Sequence, residues 1–452
     1  MGFSKGFIWG AATSSYQIEG AAREDGKADS VWDEFCRVPG ATFQGHSGDV
    51  ACDHYHRFRE DIALMKQLGI KAYRFSFSWP RILPQGIGAV NEAGLRFYEE
   101  LVDELLKNQI TPYATLFHWD YPVALQSQGG WLNPDSPIWF ENYAELIAKR
   151  FAGKIKYYFT LNEPQCFIGL GYRTGEHAPG LKLSDSSNLL AVHNVLLAHG
   201  RAVKALRNYG GEDVKIGLAQ CGRIFSPNTN SPKDVEAARR ATLELPQEAV
   251  GALFSVALWS DPILKGDYPE AYYRNFANVI PAVTKDDLAI ISQPIDFYGQ
   301  NIYHSTPVQA DGDRWKTVFP APGSAKTAIG WPIEPSCVYW AIKYLNEEYA
   351  IPVLISENGM SAHDVVSLDG QVHDPNRIDY LHRHLLSRRN AANEGLDVMG
   401  YFEWSLLDNF EWSNGYNERF GIVYVDYATQ ARIPKDSAYW YQQVIGKNGE
   451  NL

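Results

Sequence analysis

Cysteine is scarce in this chain of 452 residues, and long apolar runs are missing. The five cysteines are widely spaced and odd in number, so the sequence predicts reduced thiols of a cytosolic protein and no disulfide framework. No apolar segment approaches the ~18 residues that a membrane-spanning helix needs. The chain does not start with a basic segment followed by an apolar stretch. We therefore predict no signal peptide, a cytoplasmic location and no membrane partner.

An excess of positive charge is also missing. The chain has 41 Lys and Arg against 53 Asp and Glu, a net charge of −12. An acidic surface repels phosphate backbones, so we predict no nucleic-acid partner. Neither a G-x-G-x-x-G sequence nor a P-loop occurs, and their absence disfavours a nucleotide-binding sheet.

What is present is a regular alternation of short β-rich segments with longer segments of helical periodicity. Hydrophobic residues make up 45% of the chain, an ordinary globular composition. We predict strands at 7–12, 71–77, 111–117, 155–161, 215–219, 296–301, 352–356 and 398–404. The main predicted helices cover 53–68, a segment around 95–105, 137–151, 187–209, 232–264, 335–349, 374–394 and 435–444.

Eight such strand–helix units predict a (β/α)₈ TIM barrel, an α/β fold with enlarged βα loops that occupies residues 1–452 as one catalytic domain. An open, doubly wound sheet is the competing architecture. In a barrel the carboxyl ends of all strands meet at one rim, which is where the chemistry is found. The residues that end each predicted strand are therefore the candidate site residues.

Amides, carboxylates and tryptophans dominate those strand ends. Amides and carboxylates form directional hydrogen bonds with hydroxyl groups, and tryptophan covers the apolar face of a sugar ring. This mixture favours a neutral polyol over a phosphate, which would call for Lys, Arg or helix N-termini. The candidates are Gln17, Arg74, His118, Trp119, Asn162, Glu163, Asn301, Tyr303, Glu357, Trp404, Glu411 and Trp412.

Two of these residues, Glu163 and Glu357, form the pair of carboxyl groups that glycoside cleavage needs. One carboxyl protonates the departing oxygen while the other attacks or stabilises the oxocarbenium centre. Charge on one raises the pKa of the other, so the pair holds one proton. Arg74 is the available cation that would keep one carboxylate ionised.

The segments around both glutamates resemble the two signatures of glycoside hydrolase family 1, the β-glucosidase family. Residues 160–164 read Thr-Leu-Asn-Glu-Pro and residues 355–359 read Ile-Ser-Glu-Asn-Gly. The resemblance covers nearly the whole chain. Its other matching segments are 7–13, 16–20, 53–57, 73–76, 116–120 and 404–412.

The resemblance implies a retaining double displacement, with Glu163 as acid/base and Glu357 as nucleophile. It implies that Arg74 and Tyr303 orient the nucleophile and that Trp331 contacts the aglycone. The implied substrate-binding residues are Gln17, His118, Trp119, Asn162, Asn301, Tyr303, Trp331, Trp404, Glu411, Trp412 and Phe420. We thus predict an exo-acting β-glucosidase that releases glucose from the non-reducing end of short β-glucosides, a hydrolase of carbohydrate metabolism and cellulose degradation.

Several alternatives stay open at this point. The enzyme could favour β-galactosides or β-fucosides, or it could be a 6-phospho-β-glucosidase, although Glu411 stands where a phosphate would be repelled. A remote alternative is a sugar-binding protein without catalysis. Asp49, Cys52, Asp53, His54 and His56 lack a standard zinc spacing, and the mechanism needs no cofactor, so we predict no metal and no cofactor. The partner is a small-molecule β-glucoside, and a homo-oligomer is possible.

Overall fold

Eight parallel strands close into one barrel in the computed structural model, which describes residues 2–452. The predicted TIM barrel is confirmed, and each predicted strand is present with its ends shifted by at most a few residues. The barrel strands are β1 (Ile8–Ala12), β2 (Ala72–Ser76), β3 (Thr111–Phe117), β4 (Tyr157–Asn162), β5 (Lys215–Gln220), β6 (Phe297–Asn301), β7 (Val353–Asn358) and β8 (Val398–Trp404).

The barrel closes where β1 pairs with β8. The register runs from Ile8 opposite Gly400 to Ala12 opposite Trp404, and the other edge of β1 pairs with β2. Because all strands run the same way, their carboxyl ends meet at one rim. Residues that are far apart in the chain, such as those after β4 and β7, therefore face a common space.

The interior of the barrel is filled by side chains, and every strand supplies one of them. Five of them are large and three are alanines, and together they fill the interior without leaving a channel. The lower barrel is therefore solid, and a ligand can bind only above it at the rim. The eight residues of this inner cluster are Ala12, Ala72, Tyr113, Phe159, Ala219, Phe297, Leu354 and Phe402.

Helices with one apolar face surround the barrel. The first long helix shows the pattern, because Phe58, Ile62 and Met65 recur at helical spacing and are buried. The helices of ten or more residues are His54–Gln67, Glu92–Lys107, Ser136–Arg150, Asp185–Tyr209, Pro232–Leu243, Ser336–Tyr349, Pro375–Asn393 and Asp436–Gly446. Within residues 2–452, no helix is both long and apolar enough to span a membrane.

Shorter elements form the loops at the barrel ends. The short helices are Ser15–Ile18, Val31–Phe35, Trp79–Ile82, Val123–Gln126, Pro164–Ile168, Ala249–Leu253, Ala257–Leu264, Glu270–Asn275 and Lys285–Ile291. A three-stranded sheet contains Phe225–Pro227, Thr306–Asp311 and Arg314–Thr317. A two-stranded sheet pairs Val423–Asp426 with Ala431–Pro434.

The region 232–264, predicted as helical, is divided into several helices. Three helices occupy that segment, and the first ends at Leu243. Pro246 follows in the gap, where its missing N–H and fixed ring oppose a continuous helix. Apolar periodicity on both sides of the break concealed it in the sequence.

Candidate active site

A cavity of about 600 Å³ lies above the strand ends. Twelve of the predicted site residues line it: His118, Trp119, Asn162, Glu163, Asn301, Tyr303, Trp331, Glu357, Trp404, Glu411, Trp412 and Phe420. Gln17 and Arg74 are not among the lining residues of this cavity; both are fully buried and bond to residues that are. A wider surface cleft of about 810 Å³ around Arg240, Arg274 and Trp315 contains neither glutamate.

Glu357, near the end of β7, has two donors aimed at its carboxylate. Arg74 Nη1 donates to Oε1 at 2.6 Å, and the Tyr303 hydroxyl donates to Oε2 at 2.7 Å. Burial raises the pKa of Glu357 to about 7, while Arg74 and Tyr303 lower it and the charge of Glu163 raises it further. Both donors stabilise the ionised form, which is the form that can attack a carbon.

Glu163 follows directly on β4 and has a left-handed backbone, with φ of 45°. This conformation precedes the short helix that begins at Pro164. Asn301 Nδ2 donates to Glu163 Oε1 at 2.8 Å. Burial raises the pKa of Glu163, and the Asn301 amide, the nearby thiols of Cys166 and Cys221 and the charge of Arg74 oppose this only in part. The guanidinium hydrogen-bonds Glu357 and not Glu163, so it favours the ionised form of Glu357 more directly.

Asn162 ties the two glutamates into one network. Its Oδ1 accepts from Arg74 Nη2 at 2.6 Å and from Asn301 Nδ2 at 3.0 Å. Its Nδ2 lies 2.9 Å from His118 Nε2. Burial and the charge of Arg74 hold the pKa of His118 well below its usual value, so the imidazole is neutral and Nε2 accepts that bond. The network fixes both carboxyl groups relative to one another.

The opposite end of the cavity is polar and centres on Glu411. Gln17 Nε2 and Asn409 Nδ2 each lie 3.4 Å from Glu411 Oε2. Burial raises the pKa of Glu411 to about 8, and the charge of Glu357 adds to the effect. A carboxyl with neighbouring amides can bind two adjacent hydroxyl groups of a polyol.

Aromatic rings form the walls between these polar ends. Trp404 stacks with His118 at a centroid distance of 5.8 Å, and Trp412 contacts Trp119 at 4.3 Å. On the other side Trp331 packs against Phe420 at 5.9 Å and Tyr303 at 5.0 Å. Flat apolar faces beside directional polar groups suit a pyranose ring.

The Tyr303→Phe variant tests the pKa of Glu357. Loss of a hydrogen bond to a carboxylate costs about 1.5 kcal/mol, which raises the pKa of Glu357 by roughly one unit. Glu357 then loses its charge at a higher pH on acidification, so we expect the acidic limb of kcat/KM against pH to move up by about one unit. Tyr121→Phe is the matched control, because the buried Tyr121 hydroxyl has no partner within residues 2–452. If the acidic limb of kcat/KM against pH does not move in Tyr303→Phe, the Tyr303 hydroxyl does not lower the pKa of Glu357.

Sequence reasoning missed two cysteines in the cavity wall. Cys166 lies in the helix after Glu163, and Cys221 comes directly after β5. Cys221 follows the end of β5, so an inspection of the residues at the end of that strand would have found it. Cys166 carried the weaker signal, a position one helical turn after a candidate glutamate.

A family model described as glycosyl hydrolase family 1 matches residues 1–450. The chain belongs to glycosyl hydrolase family 1. The predicted family, and with it a glycoside hydrolase enzyme, is confirmed. β-Glucosidase A of Thermotoga maritima is 46% identical over 449 residues, covering 99% of this chain and 98% of that protein. A 1,4-β-D-glucan glucohydrolase of Thermotoga neapolitana is 45% identical and covers 99% of both chains.

Solved structures agree with this family membership. The β-glucosidase from Thermotoga maritima in complex with glucoimidazole superposes with a TM-score of 0.91 at 46% identity, covering 99% of each chain. The barrel and its enlarged loops are thus those of a family 1 glycosidase.

Proposed function

We propose that this enzyme is a retaining, exo-acting β-glucosidase that releases glucose from the non-reducing end of short β-glucosides. The observation that carries the proposal is that two buried glutamates line one cavity and receive different hydrogen-bond donors. Glu357 faces a guanidinium and a phenol, whereas Glu163 faces a neutral amide. The names of the relatives, β-glucosidase and glucan glucohydrolase, support the same glycone.

In the first step, Glu357 attacks the anomeric carbon as Glu163 donates its proton to the departing oxygen. The bond between the anomeric carbon and the aglycone oxygen breaks, and a covalent ester bond forms between the anomeric carbon and the Glu357 carboxylate. Arg74 and Tyr303 orient the attacking carboxylate and keep it ionised. A retaining mechanism requires the two carboxyl groups to lie about 5–5.5 Å apart.

In the second step, water displaces Glu357 from the sugar. Esterified Glu357 carries no charge, so its repulsion of a charged Glu163 disappears and the pKa of Glu163 falls. Glu163 has already lost its proton to the leaving group and can now accept one from water. Each glutamate thus returns to its starting state, and the sugar leaves with its β configuration.

The glycone binds with its 4- and 6-hydroxyls toward Glu411 in this proposal, and the buried Gln17 amide lies behind that carboxyl. His118, Asn162 and Trp412 contact the remaining hydroxyls and edge of the ring, with Trp404 beneath it. Trp331 and the Glu163 side of the cavity receive the aglycone. Short β-1,4-linked glucans fit this arrangement, and a contribution to cellulose degradation follows from it.

A 6-phospho-β-glucosidase is less compatible with the charges of the cavity. Arg223 is the single lining residue with a permanent positive charge in the part of the chain that the structure describes. It follows β5, beyond Cys221, and lies over Phe254 at 5.3 Å. The Glu411 end therefore offers a carboxyl group where a phosphate would need a cation.

The stereochemical course tests the proposed mechanism. With 4-nitrophenyl β-glucoside we expect ¹H NMR to show β-glucose as the first-formed product, followed by mutarotation to the α anomer. A first-formed α anomer would refute the double displacement. The kcat/KM values for 4-nitrophenyl β-glucoside, β-galactoside and β-fucoside compare the three sugars directly. We expect the glucoside to have the highest kcat/KM.

We also propose a cytoplasmic location. The support is chemical: all five cysteines are free thiols, and the Sγ atoms of Cys166 and Cys221 lie 3.5 Å apart without a bond. Unlinked neighbouring thiols are typical of a reducing compartment.

A further inference from the structure

Two thiols and a carboxylate converge on the Glu163 side of the cavity. The Sγ atoms of Cys166 and Cys221 are 3.5 Å apart, and these atoms and a carboxylate oxygen of Glu163 all lie within 4.8 Å of one another. All three residues line the cavity. We propose that this trio, the thiol–carboxylate site, binds a thiophilic divalent cation of the Zn²⁺ class and that the bound ion inhibits the enzyme.

The spacing of the ligand atoms suits a tetrahedral ion. Zn–S bonds of about 2.3 Å place two sulfur ligands of a tetrahedron about 3.8 Å apart, close to the observed 3.5 Å. A carboxylate oxygen at a bond length of about 2.1 Å supplies the third position. Because all three residues line the cavity, water from the cavity can supply the fourth ligand. Three protein ligands with one open position form a recognised zinc-binding pattern.

The backbone and a buried amide hold the two thiols in place. The Cys166 N–H donates to the Glu163 carbonyl at 2.9 Å, which fixes the first turn of the short helix. Gln165 is fully buried; its Nε2 donates to Gln220 Oε1 at 3.0 Å, and its Oε1 accepts from the Cys221 N–H at 3.4 Å. One amide therefore links the segments that carry both sulfurs. Such support outside the ligand set is typical of sites that bind metals tightly.

Charge and protons balance in the binding step. The ion replaces the protons of the Cys166 and Cys221 thiols and the proton that Glu163 carries as the proposed acid, and all three protons go to solvent. Two thiolates and one carboxylate then face one divalent cation. Metal ligands must be deprotonated, so protons compete with the ion for both sulfurs. Glu357 and the cation Arg74 are the other charged groups near the trio.

The inhibitory effect rests on the proposed acid/base role of Glu163, whereas the binding of the ion does not. A carboxylate held as a ligand cannot carry the proton that the leaving group needs. We therefore expect the bound ion to slow cleavage of poor leaving groups more than cleavage of activated ones.

A disulfide is the other chemistry open to two neighbouring thiols. It would require the sulfurs to approach from 3.5 Å to about 2.05 Å and would leave the glutamate without a role. The third converging oxygen favours the ion.

Equilibrium dialysis with Cd²⁺, together with its thiolate charge-transfer absorbance, tests the site without recourse to activity. We expect one Cd²⁺ per chain with the absorbance band, released by a chelator. Cys166→Ser and Cys221→Ser should each weaken the affinity by about 100-fold or more, since loss of an outer-shell partner alone costs 10–100-fold. Cys36→Ser is the matched control, because the Cys36 thiol is hydrogen-bonded to the Tyr16 hydroxyl and lies outside the cavity wall. Circular dichroism checks the fold of each variant.

The outcomes separate the proposals. A Cd²⁺ affinity and absorbance band that persist in Cys166→Ser/Cys221→Ser would overturn the site. Inhibition reversed by a thiol reductant but not by a chelator would mark a disulfide and would also overturn it. Tight binding with equal inhibition across leaving groups would retain the ion and contradict the acid role of Glu163 instead.

Discussion

Glu357→Gly should lower kcat on an aryl β-glucoside by about 10⁵-fold, the scale seen when a covalent enzyme loses its nucleophile. The variant keeps Glu163 and the substrate contacts but has no group to attack the anomeric carbon. It also leaves a space where a small anion can enter beside Arg74. Azide should therefore restore turnover by a single displacement, and the product should be the α-glucosyl azide.

Product analysis by NMR decides this prediction. Glu163→Ala is the complementary variant, because azide entering on its side should attack the glycosyl-enzyme and give the β-glucosyl azide. Glu403→Gln controls for the loss of a buried carboxyl: Glu403 is fully buried, lies outside the cavity wall, and burial raises its pKa well above the usual value. Turnover by Glu357→Gly at the level of the unaltered enzyme would refute the nucleophile assignment.

Glu163→Gln should show a loss that depends on the leaving group. Positioned proton donors contribute about 10²–10⁴-fold, so kcat/KM should fall by that range on an alkyl glucoside or a disaccharide. A dinitrophenyl leaving group needs no proton, and its kcat/KM should stay within about 10-fold. The ratio kcat/KM is the correct measure, because it reports the first bond cleavage and excludes the slowed hydrolysis of the intermediate.

A plot of log kcat/KM against leaving-group pKa should therefore steepen in Glu163→Gln. The amide has nearly the shape of the carboxyl and can still contact Asn301, so the geometry of the cavity is kept. A parallel loss across all leaving groups would count against proton donation and would indicate damaged binding instead.

The barrel was predictable because each strand is buried on both faces and is bounded by turn residues. The segment 111–117, for example, has one amphipathic helix before it and another after it, and eight such units without a nucleotide-binding glycine motif favour a barrel over an open sheet. The division of 232–264 into three helices was not evident from periodicity, since consecutive helices with short gaps give nearly the same pattern as one long helix, and Pro246 alone marks the first gap.

The site also has features that the sequence predicts and features that it does not. Glu163 and Glu357 end their strands, so the fold alone brings them to one rim. The hydrogen bond between Asn301 and Glu163 and the approach of Cys166 to Cys221 depend on side-chain rotamers and loop paths. Neither follows from positions in a sequence. Gln17 was expected to bind the sugar, and the structure places its amide against the Phe410 carbonyl at 2.8 Å and beside Glu411.

The pairing of β1 with β8 has a consequence for biosynthesis. The amino-terminal strand has only β2 as a neighbour until nearly 400 residues have left the ribosome, because its second partner begins at Val398. Until then the nascent sheet has two open edges, each able to pair with a foreign strand. Factors that shield nascent chains should therefore influence the yield of this enzyme more than substitutions on its helical exterior.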